Sequence, residues 1–111
     1  MTPALQPQKH LVHIQINGGG FMYARPDGQN AATIVVRKGD RVNWRCDHGN
    51  YSVLFKADSP FVEVGFHSRR GTETVEALVV ATPGSYHYAV TVSLDSGLIV
   101  DDPVVIVSDG N

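Results

Sequence analysis

From His10 onward, apolar and polar residues alternate along much of the chain with a period of two. In "HLVHIQI" Val12, Ile14 and Ile16 fall on one face, and Leu11, His13 and Gln15 on the other. That alternation predicts a strand with one face buried. "NGGG" at 17–20 and "RPDGQN" at 25–30 interrupt it with turn residues. "ATIVVRKGDRVNWRC" predicts two strands joined at Lys38-Gly39-Asp40, the second with Val42, Trp44 and Cys46 on one face. "YSVLFK" predicts a further short strand, followed by a turn at "SPF".

"TETVEALVV" places Val75, Ala77 and Val79 opposite Thr74, Glu76 and Leu78, which predicts a strand lying between two layers. After Pro83-Gly84 comes the clearest amphipathic run. Tyr86, Tyr88, Val90, Val92 and Leu94 alternate with Ser85, His87, Ala89, Thr91 and Ser93. "LDSG" makes a turn, and "LIVDDPVVIV" is the last strand. Pro103 inside it predicts an edge position or a bulge. Seven or eight short strands at this spacing predict an all-β, single-domain β-sandwich or a small barrel. Residues 1–9 and 109–111 are expected to be flexible tails, with the domain spanning 10–108.

Composition narrows the function classes. A chain of 111 residues, 42% hydrophobic, suits one core and one domain. Formal net charge is −2, so no basic footprint for nucleic acid is present. No apolar run is long enough to cross a bilayer, and no membrane partner is expected. The start, "MTPALQPQKH", lacks the basic opening and apolar run of a signal peptide. A cytoplasmic location is expected, or a periplasmic or secreted one if a leader has been removed. The single cysteine, Cys46, excludes an internal disulfide.

The order of these segments resembles the cupredoxin family. "GDRVNW" at 39–44, a loop, "YSVLF" and "SPF" are similar to the middle of that family. "GSYHYAV" and "GLIVDDPVVIV" are similar to its final two strands. The resemblance covers residues 33–107 and implies a Greek-key sandwich. It also implies where a type 1 copper site would sit. The first histidine falls on Tyr51, the cysteine on Val90, the second histidine on or next to Ser93 and the axial methionine on or next to Leu98. Such a site needs two imidazoles and a thiolate around soft copper. Valine and leucine carry no lone pair, and a tyrosine or serine is a poor substitute. The resemblance therefore implies a copper-free relative without a cofactor.

Three other constellations bear on function. Cys46 and His48 in "WRCDHGN" stand two apart and would share a side if the strand continued, so with His10 or His13 they form a candidate metal set. The competing reading makes Cys46 a core residue beside Val42 and Trp44. His67, Arg69 and Arg70 in "GFHSRRG" form a small basic loop that can grip a phosphate or a carboxylate, or simply be solvated. Phe21, Met22 and Tyr23 with Tyr51, Pro60 and Phe61 are candidates for an apolar docking patch, or else for a cap on the core.

No serine lies in a Gly-x-Ser-x-Gly elbow, and the adjacent Asp101 and Asp102 would point to opposite faces of a strand. An enzyme is not expected. The expected function is a non-enzymatic binding module for a protein partner, with a homodimer as one form. The alternative is a metal-handling protein built on Cys46 and His48.

Overall fold

A computed structural model of the chain describes residues 6–108, and among them there is no helix. No helix long and apolar enough to cross a membrane is therefore found there. Ten strands form in chain order: β1 Lys9–Asn17, β2 Gly20–Ala24, β3 Thr33–Arg37, β4 Arg41–Cys46, β5 Tyr51–Phe55, β6 Gly65–Ser68, β7 Ala77–Leu78, β8 Gly84–Leu94, β9 Gly97–Asp101 and β10 Val104–Ser108. They build two mixed sheets. The first has the order β2-β1-β4-β7 and the second β3-β10-β8-β5-β6, with β9 also paired to β8.

The alternation read from the sequence becomes the division between core and surface. His10, Val12 and Ile14 of β1 and Val42, Trp44 and Cys46 of β4 are buried. From the second sheet Ile34, Val36, Tyr88, Val90, Val92, Val105 and Val107 join them. Trp44 sits among Phe55, Phe61, Phe66 and Tyr88, with ring centroids 5.5 to 6.4 Å from its own. Its indole N–H donates to the Tyr88 hydroxyl at 3.2 Å, so burial leaves that donor satisfied.

Three departures from the expected seven or eight strands have local causes. The first is β2, in a segment expected to be loop. Gly18 and Gly19 both have positive φ and join β1 to β2 as a two-residue hairpin, a backbone that suits glycine. The second is residues 65–68, expected to be part of a basic loop, which pair with β5 as β6.

The third is the last segment. β8 pairs first with β10 and then with β9 in one continuous register, Val104 opposite His87 and Asp101 opposite Val90. Pro103 interrupts the ladder between them because it has no N–H to donate, although its carbonyl still accepts from Tyr88. One long arm therefore counts as two strands.

The strand expected at 74–79 is mostly irregular. Arg45 opposes Glu73, whereas Val42 opposes Ala77, so three steps along β4 match four along the neighbouring segment. The extra residue is a bulge that resets the alternation. Thr74 turns inward in place of Val75, and its hydroxyl accepts from the Trp44 N–H at 3.0 Å. Val75 is left exposed.

At the N-terminal side, Gln8 N–H donates to Asp40 Oδ1 and Lys9 already belongs to β1, so the expected tail does not extend to residue 9. Residues 1–5 and 109–111 lie outside the described residues.

Candidate functional site

Three connections meet at one end of the sandwich: residues 47–50 after β4, residues 69–72 after β6, and the tight turn between β8 and β9. Arg70 ties the first two, its N–H donating to Asn50 Oδ1 and its Nε–H to the Asp47 carbonyl, both at 2.9 Å. Ser93 N–H donates to the Asn50 carbonyl at 2.8 Å and ties the first to β8. Arg45 and His13 hold the Asp47 carboxylate at 2.9 and 3.1 Å. The Arg45 hydrogen bond is the main cause that keeps this carboxyl below the ordinary range, despite some desolvation.

Gly49 lets the loop lie this close. A Cβ added there would stand 2.0 Å from the Ser93 carbonyl oxygen. The need is for space rather than for an unusual φ, since Gly49 is not among the positive-φ glycines.

Between β6, β5, β8 and β9 this end opens into a groove of about 520 Å³ on the outer face of the second sheet. Its floor follows from strand parity. Ser52 lies opposite His67 on β6 and opposite Thr91 on β8, and Ser93 lies opposite Leu98 on β9. His67 and Arg69 stand on the β6 side and Leu98 on the β9 side. Among the described residues the side chains of Ser52, His67, Arg69, Thr91 and Ser93 make no hydrogen bond or ion pair within the protein.

Tyr51 borders the groove but is buried, its hydroxyl lying 2.9 Å from the Trp44 carbonyl and 2.5 Å from that of Thr72. Burial pushes its phenol up to about 12.

The four positions that the family resemblance assigns to copper do not form one cluster. Tyr51 and Val90 project inward, and Val90 is fully buried. Ser93 and Leu98 project outward, and Leu98 is 69% exposed. The second candidate metal set separates as well. The Cys46 thiol is in the core while His48 is exposed on the loop. His13 is occupied by Asp47, and His10 by Asp40 near the other end of β4. Among the described residues no group of three or more His, Cys, Asp or Glu is placed to hold a metal ion.

The expected aromatic patch is not a surface. Tyr23, Tyr51, Pro60 and Phe61 are buried, Phe21 is half-buried against Tyr23, and of the six only Met22 is exposed. Their bulk is worth more inside, where each fully buried aromatic contributes about 2 to 3 kcal/mol.

The exposed apolar side chains near the groove are aliphatic instead: Leu54, Leu98 and Val100. Strict alternation along "YSVLF" and "GLIVD" carries that signal, because it sends Leu54, Leu98 and Val100 to the outer face. The same rule sends Ser52, Thr91 and Ser93 there.

A buried polar relay also went unforeseen. His10 takes the first inward place on β1, donates from Nε2 to Asp40 Oδ2 at 2.9 Å, and accepts at Nδ1 from Arg25 at 2.9 Å. Asp40 further accepts from the backbone N–H of Gln8 and Arg37. Burial pushes its carboxyl up, but these hydrogen bonds outweigh that and leave it below the ordinary range.

No protein-family model matches the chain, and no curated protein matches it significantly in sequence.

Proposed function

We propose that the chain is a copper-free, cupredoxin-like Greek-key domain that acts as a non-enzymatic binding module, with its contact surface at the groove end of the second sheet. The observation that carries this reading is the groove itself. Ser93 and Leu98, two of the positions at which the resemblance implies copper ligands, line it together with Ser52, Thr91, His67 and Arg69. These groups offer hydroxyls, a guanidinium, an imidazole and an alkyl wall, a set suited to recognition rather than to holding soft copper.

The topology supports the family reading. Strands distant in sequence pair in parallel, β1 with β4 in the first sheet and β3 with β10 in the second, where β10 also pairs with β8 in the antiparallel sense. Ser52 and His67 stand opposite each other, but no hydrogen bond joins them and no carboxylate lines the groove to orient the ring. Leu54 and Val100 beside the groove give a protein partner, or a second copy, apolar surface to cover.

The test has two arms. Elemental analysis of purified protein, with Cu(II) and Zn(II) titration followed by absorbance and melting temperature, is expected to show no stoichiometric metal, no blue band and no thermal shift. A stoichiometric metal that raises the melting temperature would overturn the copper-free reading. In the second arm, a photo-crosslinking residue at Leu98 is expected to capture a discrete partner in cells, and one at Leu11 on the other sheet is not. Equal capture from both positions would overturn the choice of surface.

A further inference from the structure

We propose that the groove holds a polyhydroxylated small anion, a sugar acid or sugar phosphate, with its charged group at Arg69 and His67 and its ring on Ser52, Thr91 and Ser93. This rests on the reading of the groove end as the binding surface and names the ligand chemistry it fits. Three features of the lining lead to it.

The first is charge. The groove contains Arg69 and His67 and neither aspartate nor glutamate, so within it one sign of charge is favoured. The Arg69 side chain makes no hydrogen bond or ion pair among the described residues, which leaves its planar fork of donors free for a carboxylate or phosphate. Arg70, its neighbour, is spent on the Asp47 carbonyl, so the two arginines are not equivalent.

The second is the floor. Ser52, Thr91 and Ser93 project from adjacent strands, spaced by the strand separation of about 4.8 Å and by the two-residue repeat along β8. Each hydroxyl can both donate and accept, as can each hydroxyl of a sugar. An aliphatic ligand would cover these groups without replacing their water, at a desolvation cost.

The third is Leu98, which gives the C–H face of a ring an apolar contact at the β9 side. The volume, about 520 Å³, falls within the range of small-ligand sites. A neutral sugar would leave Arg69 unused, and a cation would be repelled by it.

The experiment is a set of amide-resolved NMR titrations of the whole chain at low ionic strength, with glucuronate, glucose 6-phosphate, glucose and inorganic phosphate as probes. Saturable shifts at Ser52, His67, Thr91 and Ser93 are expected with one or both charged sugars, at millimolar affinity or better. The tighter of the two identifies whether the oxyanion is a carboxylate or a phosphate. Glucose and inorganic phosphate alone are each expected to bind at least about tenfold more weakly, since each makes half of the contacts.

R69Q should weaken the charged sugars about tenfold with an unchanged melting temperature, and Arg70→Gln should not reproduce that loss. T91V, which keeps the shape and removes the hydroxyl, should weaken both sugars. Glucose binding as well as glucuronate, phosphate binding as well as glucose 6-phosphate, shifts centred elsewhere, or no saturable shift would each overturn the assignment. Those results would not by themselves overturn the groove end as the contact surface, which falls to equal capture at Leu98 and Leu11, nor the copper-free reading, which falls to a stoichiometric metal.

Discussion

Replacing Gly49 with alanine tests whether the loop after β4 is seated on β8 as closely as the backbone implies. The new Cβ would begin 2.0 Å from the Ser93 carbonyl oxygen, 3.0 Å from its carbon and 3.3 Å from a Val92 methyl. Backbone cannot yield as a flexible side chain does, so the loop must retreat by about 1 Å or more to reach ordinary contact. Retreat would stretch the Ser93 N–H to Asn50 carbonyl bond, now 2.8 Å, beyond useful range.

Overpacking of this kind costs about 1 to 3 kcal/mol and the lost hydrogen bond about 1 more. Alanine restrains the unfolded chain and returns roughly 0.5 to 1 kcal/mol. The expected loss is therefore about 1 to 3.5 kcal/mol, or roughly 5 to 15 °C in melting temperature for a domain of this size.

Gly20→Ala is the control. Its added Cβ would meet only the Asn17 carbonyl oxygen, at 3.6 Å, and its φ is not positive, so no loss is expected, and the restraint on the unfolded chain gives a gain of up to about 1 kcal/mol. Thermal and urea unfolding followed by circular dichroism, with hydrogen exchange at the Ser93 amide, measure both. If Gly49→Ala unfolds like Gly20→Ala and the Ser93 amide keeps its protection, the close approach of loop and strand is refuted.

Asp40→Asn puts an amide where three donors converge on a carboxylate, and a loss of about 3 kcal/mol is expected in urea unfolding. Because the folded-state carboxyl lies below its unfolded value, its contribution is present above the unfolded pKa, near 4, and is lost as pH falls through the folded one. The wild type should therefore lose stability at acid pH more steeply than Asp40→Asn.

Burial raises the phenols of Tyr23, Tyr51 and Tyr88, so the fold favours their neutral forms. Stability should hold below about pH 10 and fall as pH rises toward about 12, with tyrosine absorbance and circular dichroism changing together. Ionisation of more than one of the four tyrosines well ahead of unfolding would contradict the burial of these three. The Cys46 thiol, fully buried, should react with a thiol reagent only at the rate of global opening; immediate modification of the native protein would place it at the surface.

How much of this was legible depended on whether parity alone set the outcome. Along β1, β4 and β8, alternation identifies the buried face, because sheets one layer thick against a core leave each residue only two directions. It fails at 74–79, where one inserted residue swaps Thr74 for Val75, and the bulge has no marker in "TETVEA".

The short strands β2 and β6 escape the pattern for another reason. With four or five residues beside glycines they carry too few alternations, and long-range pairing with β1 and β5 decides them. The aromatic patch failed because Tyr23 and Phe61 look exposed when set in loop-like sequence. A large ring finds more dispersion and hydrophobic gain in the core than at a rim. The groove was half visible. "GFHSRRG" marked a basic segment, but only the register brings Ser52, Thr91 and Ser93 beside it.

Parity also makes a demand on the resemblance to copper proteins that can be tested by grafting. A chain carrying Tyr51→His, Val90→Cys, Ser93→His and Leu98→Met contains all four ligand types at the positions the resemblance implies. In the register seen here Tyr51 pairs with Val92, so residues 51 and 90 face the core, while the paired residues 93 and 98 face outward. Positions 90 and 93 are also about 10 Å apart along the strand.

A type 1 centre needs two imidazoles and a thiolate in one near-trigonal plane, which donors on opposite faces of a sheet cannot supply. The grafted protein, with its fold checked by circular dichroism, is therefore expected to bind Cu(II) without an intense blue band. A blue band in the grafted chain would mean that the alternation of β8 breaks between residues 90 and 93, and the outward placement of Ser93 would have to be reassigned with it.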